Sequence, residues 1–124
     1  MTWYTAHCIE GFRFRNTGQL SLTFYENLFL VEADSDKAAL QAAEVIAKAS
    51  VVDDDSLTVD DQPVEALFLG VRKVVRVSNP NGIDADADKP TSGTELSYTS
   101  YKADNLEALE GFAAGQSVGI TALD

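Results

Sequence analysis

The stretch from Glu26 to Ala49, ENLFLVEADSDKAALQAAEVIAKA, decides the fold, because its apolar spacing changes partway along. Leu28 to Ala33 is apolar, with Phe29 and Val31 enough to favour a pleated, mostly buried strand. The strand signal stops at Asp34. Asp34 or Ser35 can accept a hydrogen bond from the free N–H groups of a first helical turn, and Asp36 puts negative charge at the positive end of the helix dipole. From Lys37 onward, Ala39, Ala42, Ala43 and Ile46 follow the i, i+3, i+4, i+7 spacing of a helix face, with Leu40 and Ala47 beside them. Lys37, Gln41, Glu44 and Lys48 occupy the other side. The spacing predicts a helix over Ser35 to Ala49 whose alanine stripe lets its axis approach a sheet closely.

Outward from this unit, the chain alternates. Trp3 to Arg15 is predicted as a first strand, with Trp3, Thr5, His7 and Ile9 on one face and Tyr4, Ala6, Cys8 and Glu10 on the other. Asn16-Thr17-Gly18 has hairpin-turn content, and a second strand from near Leu20 to Val31 would pair antiparallel with the first, with a bulge near Glu26-Asn27. Val51 to Pro63 is a loop with a short edge strand. Val64 to Ser78 is a central strand, with Leu67, Leu69, Val71, Val75 and Val77 on one face, interrupted by Lys73. Asn79 to Gly93 is a long loop broken by Pro80, Gly82 and Pro90. Thr94 to Lys102 would return beside the central strand. Asp104 or Asn105 would cap a short helix carrying Leu106, Leu109 and Phe112 and ended by Gly115, and Ser117 to Leu123 would pair with the sheet edge. The expected architecture is a single α+β domain over residues 1–124: an antiparallel sheet of about five strands, one main helix packed on one face, and a short C-terminal helix. Strand order stays open, a ferredoxin-like arrangement included.

Composition narrows the function. The chain has 124 residues, 20 Asp and Glu against nine Lys and Arg, and a net charge of -11. Nucleic-acid binding needs a basic footprint that is absent here. A basic protein partner fits the charge, and solubility alone is the competing explanation. Apolar runs fall short of a membrane span. The opening MTWYTAHC lacks the basic residues and apolar core of a secretory signal, and Cys8 is the only cysteine, so the expectation is a cytoplasmic protein without a disulfide framework.

The order of short motifs resembles a family of small bacterial proteins grouped as a domain of unknown function with a W-Y-x-A-H opening. Here that opening is Trp3-Tyr4-Thr5-Ala6-His7. The resemblance continues through Val31-Glu32-Ala33 and its alanine-rich helix, Phe68-Leu69-Gly70-Val71, and Thr94-Glu95-Leu96. It implies an architecture and a bacterial cytoplasmic setting, but no mechanism. The acidic loop around Asp84 departs from the pattern.

Three groups of residues are candidates for function. Asp84, Asp86 and Asp88, with Glu95 at the twelfth position, match the carboxylate spacing of a calcium loop. Against calcium, Lys89 stands where that loop needs glycine, and the flanks read as strands; a solvated acidic loop is the alternative. Asp53, Asp54, Asp55, Asp60 and Asp61 would form an acidic partner-binding surface. His7 is expected to be a packed or hydrogen-bonded strand histidine, since its own face offers only Thr5 and Ile9. Distant Tyr25, Tyr98 or Glu95 could still reach it, and Tyr4, Tyr25, Tyr98 and Tyr101 could line a binding surface. The leading expectation is a non-enzymatic binding or regulatory module, of an inhibitor or immunity type, without a cofactor. The alternatives are a calcium-responsive binding protein and a small enzyme whose cleft is built from distant residues, and a homo-oligomer remains open.

Overall fold

A computed structural model describes residues 1–16, 21–78 and 89–124. Within them the chain runs β1 (Thr2–Phe14), β2 (Phe24–Ala33), α1 (Asp36–Ser50), β3 (Thr58–Val59), β4 (Gln62–Arg76), β5 (Tyr101–Lys102), α2 (Leu106–Ala113) and β6 (Thr121–Ala122). The main sheet has four antiparallel strands in the order β2-β1-β4-β3. Among the described residues this sheet thus has four strands where about five were expected. Thr94 to Lys102 does not run as a ladder beside β4: it makes one bridge, Ser78 to Glu95, and only its last two residues form β5. β5 pairs with β6 in a separate two-stranded unit, so the C-terminal strand does not extend the main sheet. A ferredoxin-like order is also excluded, because β1 and β2 pair in succession with no helix between them.

The strand-to-helix unit forms where its sequence places it. The Ser35 side chain accepts from the Ala38 N–H, which ties down one of the free donors of the first turn, and Lys48 sits in the last turn, where the dipole favours a cation. Ala39, Ala43 and Ala47 are buried on α1. They pack against Ala6 and Cys8 of β1 and Val31 of β2, with Phe68, Val71 and Val74 of β4 alongside. Tyr4, Ala33 and Ala39 extend the same layer. Because the stripe is alanine, the core under α1 is thin and depends on close approach rather than on large side chains.

β1 is buried on both faces. Tyr4, Ala6 and Cys8 face α1, while Thr5 and His7 on the opposite face are just as buried. Residues 96–99 cover that second face: the Thr5 hydroxyl donates to the Leu96 carbonyl, and Lys73 donates to the Tyr98 carbonyl at 2.6 Å and to the Thr99 hydroxyl at 3.2 Å.

Pairing between β1 and β4 shifts register twice, between His7 and Cys8 and between Ile9 and Glu10. His7 pairs with Lys73 and Cys8 with Val71, which leaves Arg72 as an extra residue; Leu69 is the extra residue at the second shift. Each bulge breaks the simple alternation of faces. Val71 consequently joins Phe68 and Val74 beneath α1, and does not share a face with Leu67 and Leu69 as strict alternation predicts. By contrast, β1 and β2 pair without a shift, so the bulge expected near Glu26-Asn27 is absent.

Candidate functional site

The first bulge in β4 sends two successive basic side chains to the face away from α1. Lys73 lies opposite His7, and Arg72, the extra residue, turns toward β2. Its guanidinium donates to Glu26 Oε2 through Nε at 2.9 Å and through NH2 at 2.7 Å. Glu26 is on the same face of the sheet, two residues along β2 from Leu28, which pairs with His7. The same carboxylate oxygen is 2.8 Å from His7 Nδ1. A carboxylate held by arginine is acceptor-only, so Nδ1 carries the proton and donates. On the other side of the ring, His7 Nε2 meets the Ser97 hydroxyl.

Four residues from separate segments thus form one line: Ser97, His7, Glu26 and Arg72. The imidazole is 3% exposed and the Glu26 side chain 32%. Burial pushes the Glu26 carboxyl up, but hydrogen bonds from Arg72 and His7 outweigh it and hold the group below the usual carboxylate range. Asp124 closes the far side. Its carboxylate is 3.1 Å from Lys73 Nζ and 3.7 Å from Arg72 NH1. The hydrogen bond from Lys73 holds it ionised against a smaller desolvation. Chemically, the line offers an ionised acid, an oriented imidazole and a half-buried hydroxyl.

None of this was visible in local spacing. Glu26 is 19 residues from His7 and Ser97 is 90. The structure corrects the distant partners named from sequence: Glu26 and Ser97 reach the imidazole, and Tyr25, Tyr98 and Glu95 do not bond it. One signal was available. Glu26 and Lys73 interrupt apolar strands, and a charge in such a strand needs a partner.

Beside the line, the uncovered part of the same sheet face forms an apolar groove of about 440 Å³, bounded by Ile9, Gly11, Phe12, Phe24 and Leu69 among others. A shallower depression of about 300 Å³ shares Ile9 and Leu69 with it and reaches Arg72. Gly11 keeps the groove floor low, since a Cβ there would come within 2.7 Å of Leu69 Cδ1. Along β2, Phe24, Leu28 and Leu30 are 61%, 56% and 45% exposed on this face.

Among the described residues, β2 is also an edge strand. The Phe12 N–H donates to the Thr23 carbonyl, in register with the β1–β2 ladder, which fixes its alternation. Odd-numbered residues of β2 bond β1, whereas Phe24, Glu26, Leu28, Leu30 and Glu32 turn their N–H and C=O groups outward. The ten residues contain no proline, lysine or arginine, and no bulge interrupts them.

The sequence-derived acidic residues lie near one end of the sheet, and several have local tasks. Asp53 accepts from Arg15 NH2 through both oxygens at 2.9 Å and from the Ala66 N–H. Those contacts, with Ala66 foremost, lower its pKa. Asp54 accepts from the N–H and hydroxyl of Ser56. Asp60 and Asp61, at φ 51° and 63°, are the two central residues of the β3–β4 hairpin, both left-handed as a type I′ turn requires. Asp55 is exposed. Of the calcium candidates, Asp84, Asp86 and Asp88 lie outside the described residues, and Glu95 is exposed with its backbone bridged to Ser78. Among the described residues, no group of three or more His, Cys, Asp or Glu is placed to hold a metal ion. Of the tyrosines, Tyr4 is buried, Tyr25 stacks edge-on with Phe12, Tyr98 lies under the Lys73 ammonium and Tyr101 packs against Phe112. No described helix is long and apolar enough to cross a membrane.

Comparison with known proteins gives a family and no neighbour. Residues 3–88 match the family described as a domain of unknown function (DUF4288), and the chain belongs to it. No curated protein and no solved structure matches.

Proposed function

For this member of the DUF4288 family, we propose a protein-interaction module that binds an extended segment of a basic protein along the free edge of β2. One observation carries the reading: ten regular residues of edge strand, with Phe24, Leu28 and Leu30 exposed, contain no proline, lysine, arginine or bulge to blunt that edge. Strand addition would satisfy the outward backbone groups, and apolar side chains of the incoming strand would cover the three exposed ones. Charge selects the occupant. The chain carries a net charge of -11, and β2 itself adds Glu32 with no base while Glu26 is already paired with Arg72, so a cationic strand is favoured over an acidic one or a second copy of this chain.

The test uses two synthetic ten-residue peptides, one alternating valine with lysine and one alternating valine with glutamate. The lysine peptide is expected to bind the unaltered protein at least tenfold more tightly than the glutamate peptide. It should bind Leu28→Pro at least tenfold less tightly than the parent, because that substitution removes an outward N–H. Equal binding of both peptides, or of both proteins, would overturn the reading.

A further inference from the structure

We propose that Ser97 is a nucleophile activated by His7 and Glu26, and that the protein hydrolyses small carboxylic esters with an apolar acyl group. The inference does not depend on strand docking at β2. Nucleophilic serine needs a base within hydrogen-bond reach and a third group that orients the base. Here His7 Nε2 meets the Ser97 hydroxyl, Glu26 Oε2 lies 2.8 Å from Nδ1, and Arg72 clamps the same oxygen at 2.7 Å. The three segments are remote in sequence, and the imidazole they share is almost fully buried, so its orientation is fixed. Lys73, bonded to the Tyr98 carbonyl and the Thr99 hydroxyl and paired with Asp124, has its three donors occupied and fixes the residues that follow the serine. The depression that reaches Arg72, at the end of this line, shares Ile9 and Leu69 with the apolar groove, where the proposal places the acyl chain.

In the reaction, Ser97 Oγ attacks the ester carbonyl carbon as its proton passes to His7 Nε2. The bond to the leaving alcohol oxygen breaks, and His7 returns the proton to that oxygen. Water then attacks the acyl-serine by the same route, which releases the carboxylic acid and restores the hydroxyl. No other reactant is required.

A purely structural brace would bring the same groups together, so the experiment must separate bracing from reactivity. The full chain is treated with a fluorophosphonate, and hydrolysis of p-nitrophenyl butyrate is followed in parallel. The expected result is a single phosphonyl adduct on Ser97, found by peptide mass spectrometry, with labelling and hydrolysis both lost in Ser97→Ala. His7→Gln should slow labelling at least a hundredfold, the scale of a lost general base. Since removal of a buried histidine could unfold the sheet, the unaltered chain decides the matter alone. No adduct on the folded protein, an adduct elsewhere, or equal labelling after denaturation would each overturn the proposal.

Discussion

Arg72 reaches Glu26 because β4 holds one residue more than β1 at that point, and this contact helps to hold the Glu26 carboxyl ionised. Glu26 has a lowered folded-state pKa, so its contribution is fully present above the unfolded value and is lost as pH falls through the folded one. Asp53 and Asp124 act in the same direction. Melting temperature followed from about pH 7 to about pH 3 should therefore fall, and Glu26→Gln should flatten part of that fall while lowering stability at neutral pH. An unchanged profile in Glu26→Gln would place the acid sensitivity elsewhere. At this scale the sequence revealed little: His7 was legible as a hydrogen-bonded strand residue, but Glu26 and Ser97 gave no local sign of converging on it. Bulges have no periodic signature, and the one after His7 changes which faces Val71 and Arg72 address.

α1 and β2 were the legible elements, because each has a strong local period and Ser35 supplies the helix start. Ala43 is 0% exposed beneath the sheet. Ala43→Glu would bury an unpaired charge, and it should cost on the order of 3–5 kcal/mol, read by denaturant unfolding. A melting temperature close to the parent's would contradict the packing of α1. The edge of β2 gives a paired prediction. Leu28 turns its N–H outward, so Leu28→Pro removes no bond to β1 and should leave a folded protein. Phe29 faces Ala6 in a hydrogen-bonded pair, so Phe29→Pro should cost about 3 kcal/mol or more. Circular dichroism melts of the two variants check the contrast, and equal destabilisation would contradict the assigned alternation. What stayed illegible at this scale is the C-terminal third. Thr94 to Lys102 alternates like a strand, yet its central residues serve as a polar strap over β1, a tertiary role that propensity does not encode.

Net charge and sheet geometry act together over the whole molecule. With a charge of -11, association with a cationic strand should be steered over a screening length of about 8 Å at physiological ionic strength, so the on-rate should fall with salt while the off-rate changes less. Asp55, Asp60 and Asp61 are the residues to neutralise. Asparagine suits the left-handed turn at Asp60 and Asp61, whereas Asp53 and Asp54 hold backbone N–H groups and would perturb the fold. The triple asparagine variant should bind the lysine peptide more slowly with an unchanged melting temperature; an unchanged on-rate would show that this end of the sheet takes no part in steering. The central claim is that the outer edge of β2 is free to accept a strand, and amide hydrogen exchange measured residue by residue tests it most directly. Slow exchange is expected at Tyr25, Asn27, Phe29 and Val31, with fast exchange at Glu26, Leu28, Leu30 and Glu32 that slows when the lysine peptide is added. Uniformly slow exchange along β2 in the protein alone would mean that the edge is already covered, and the account would fail.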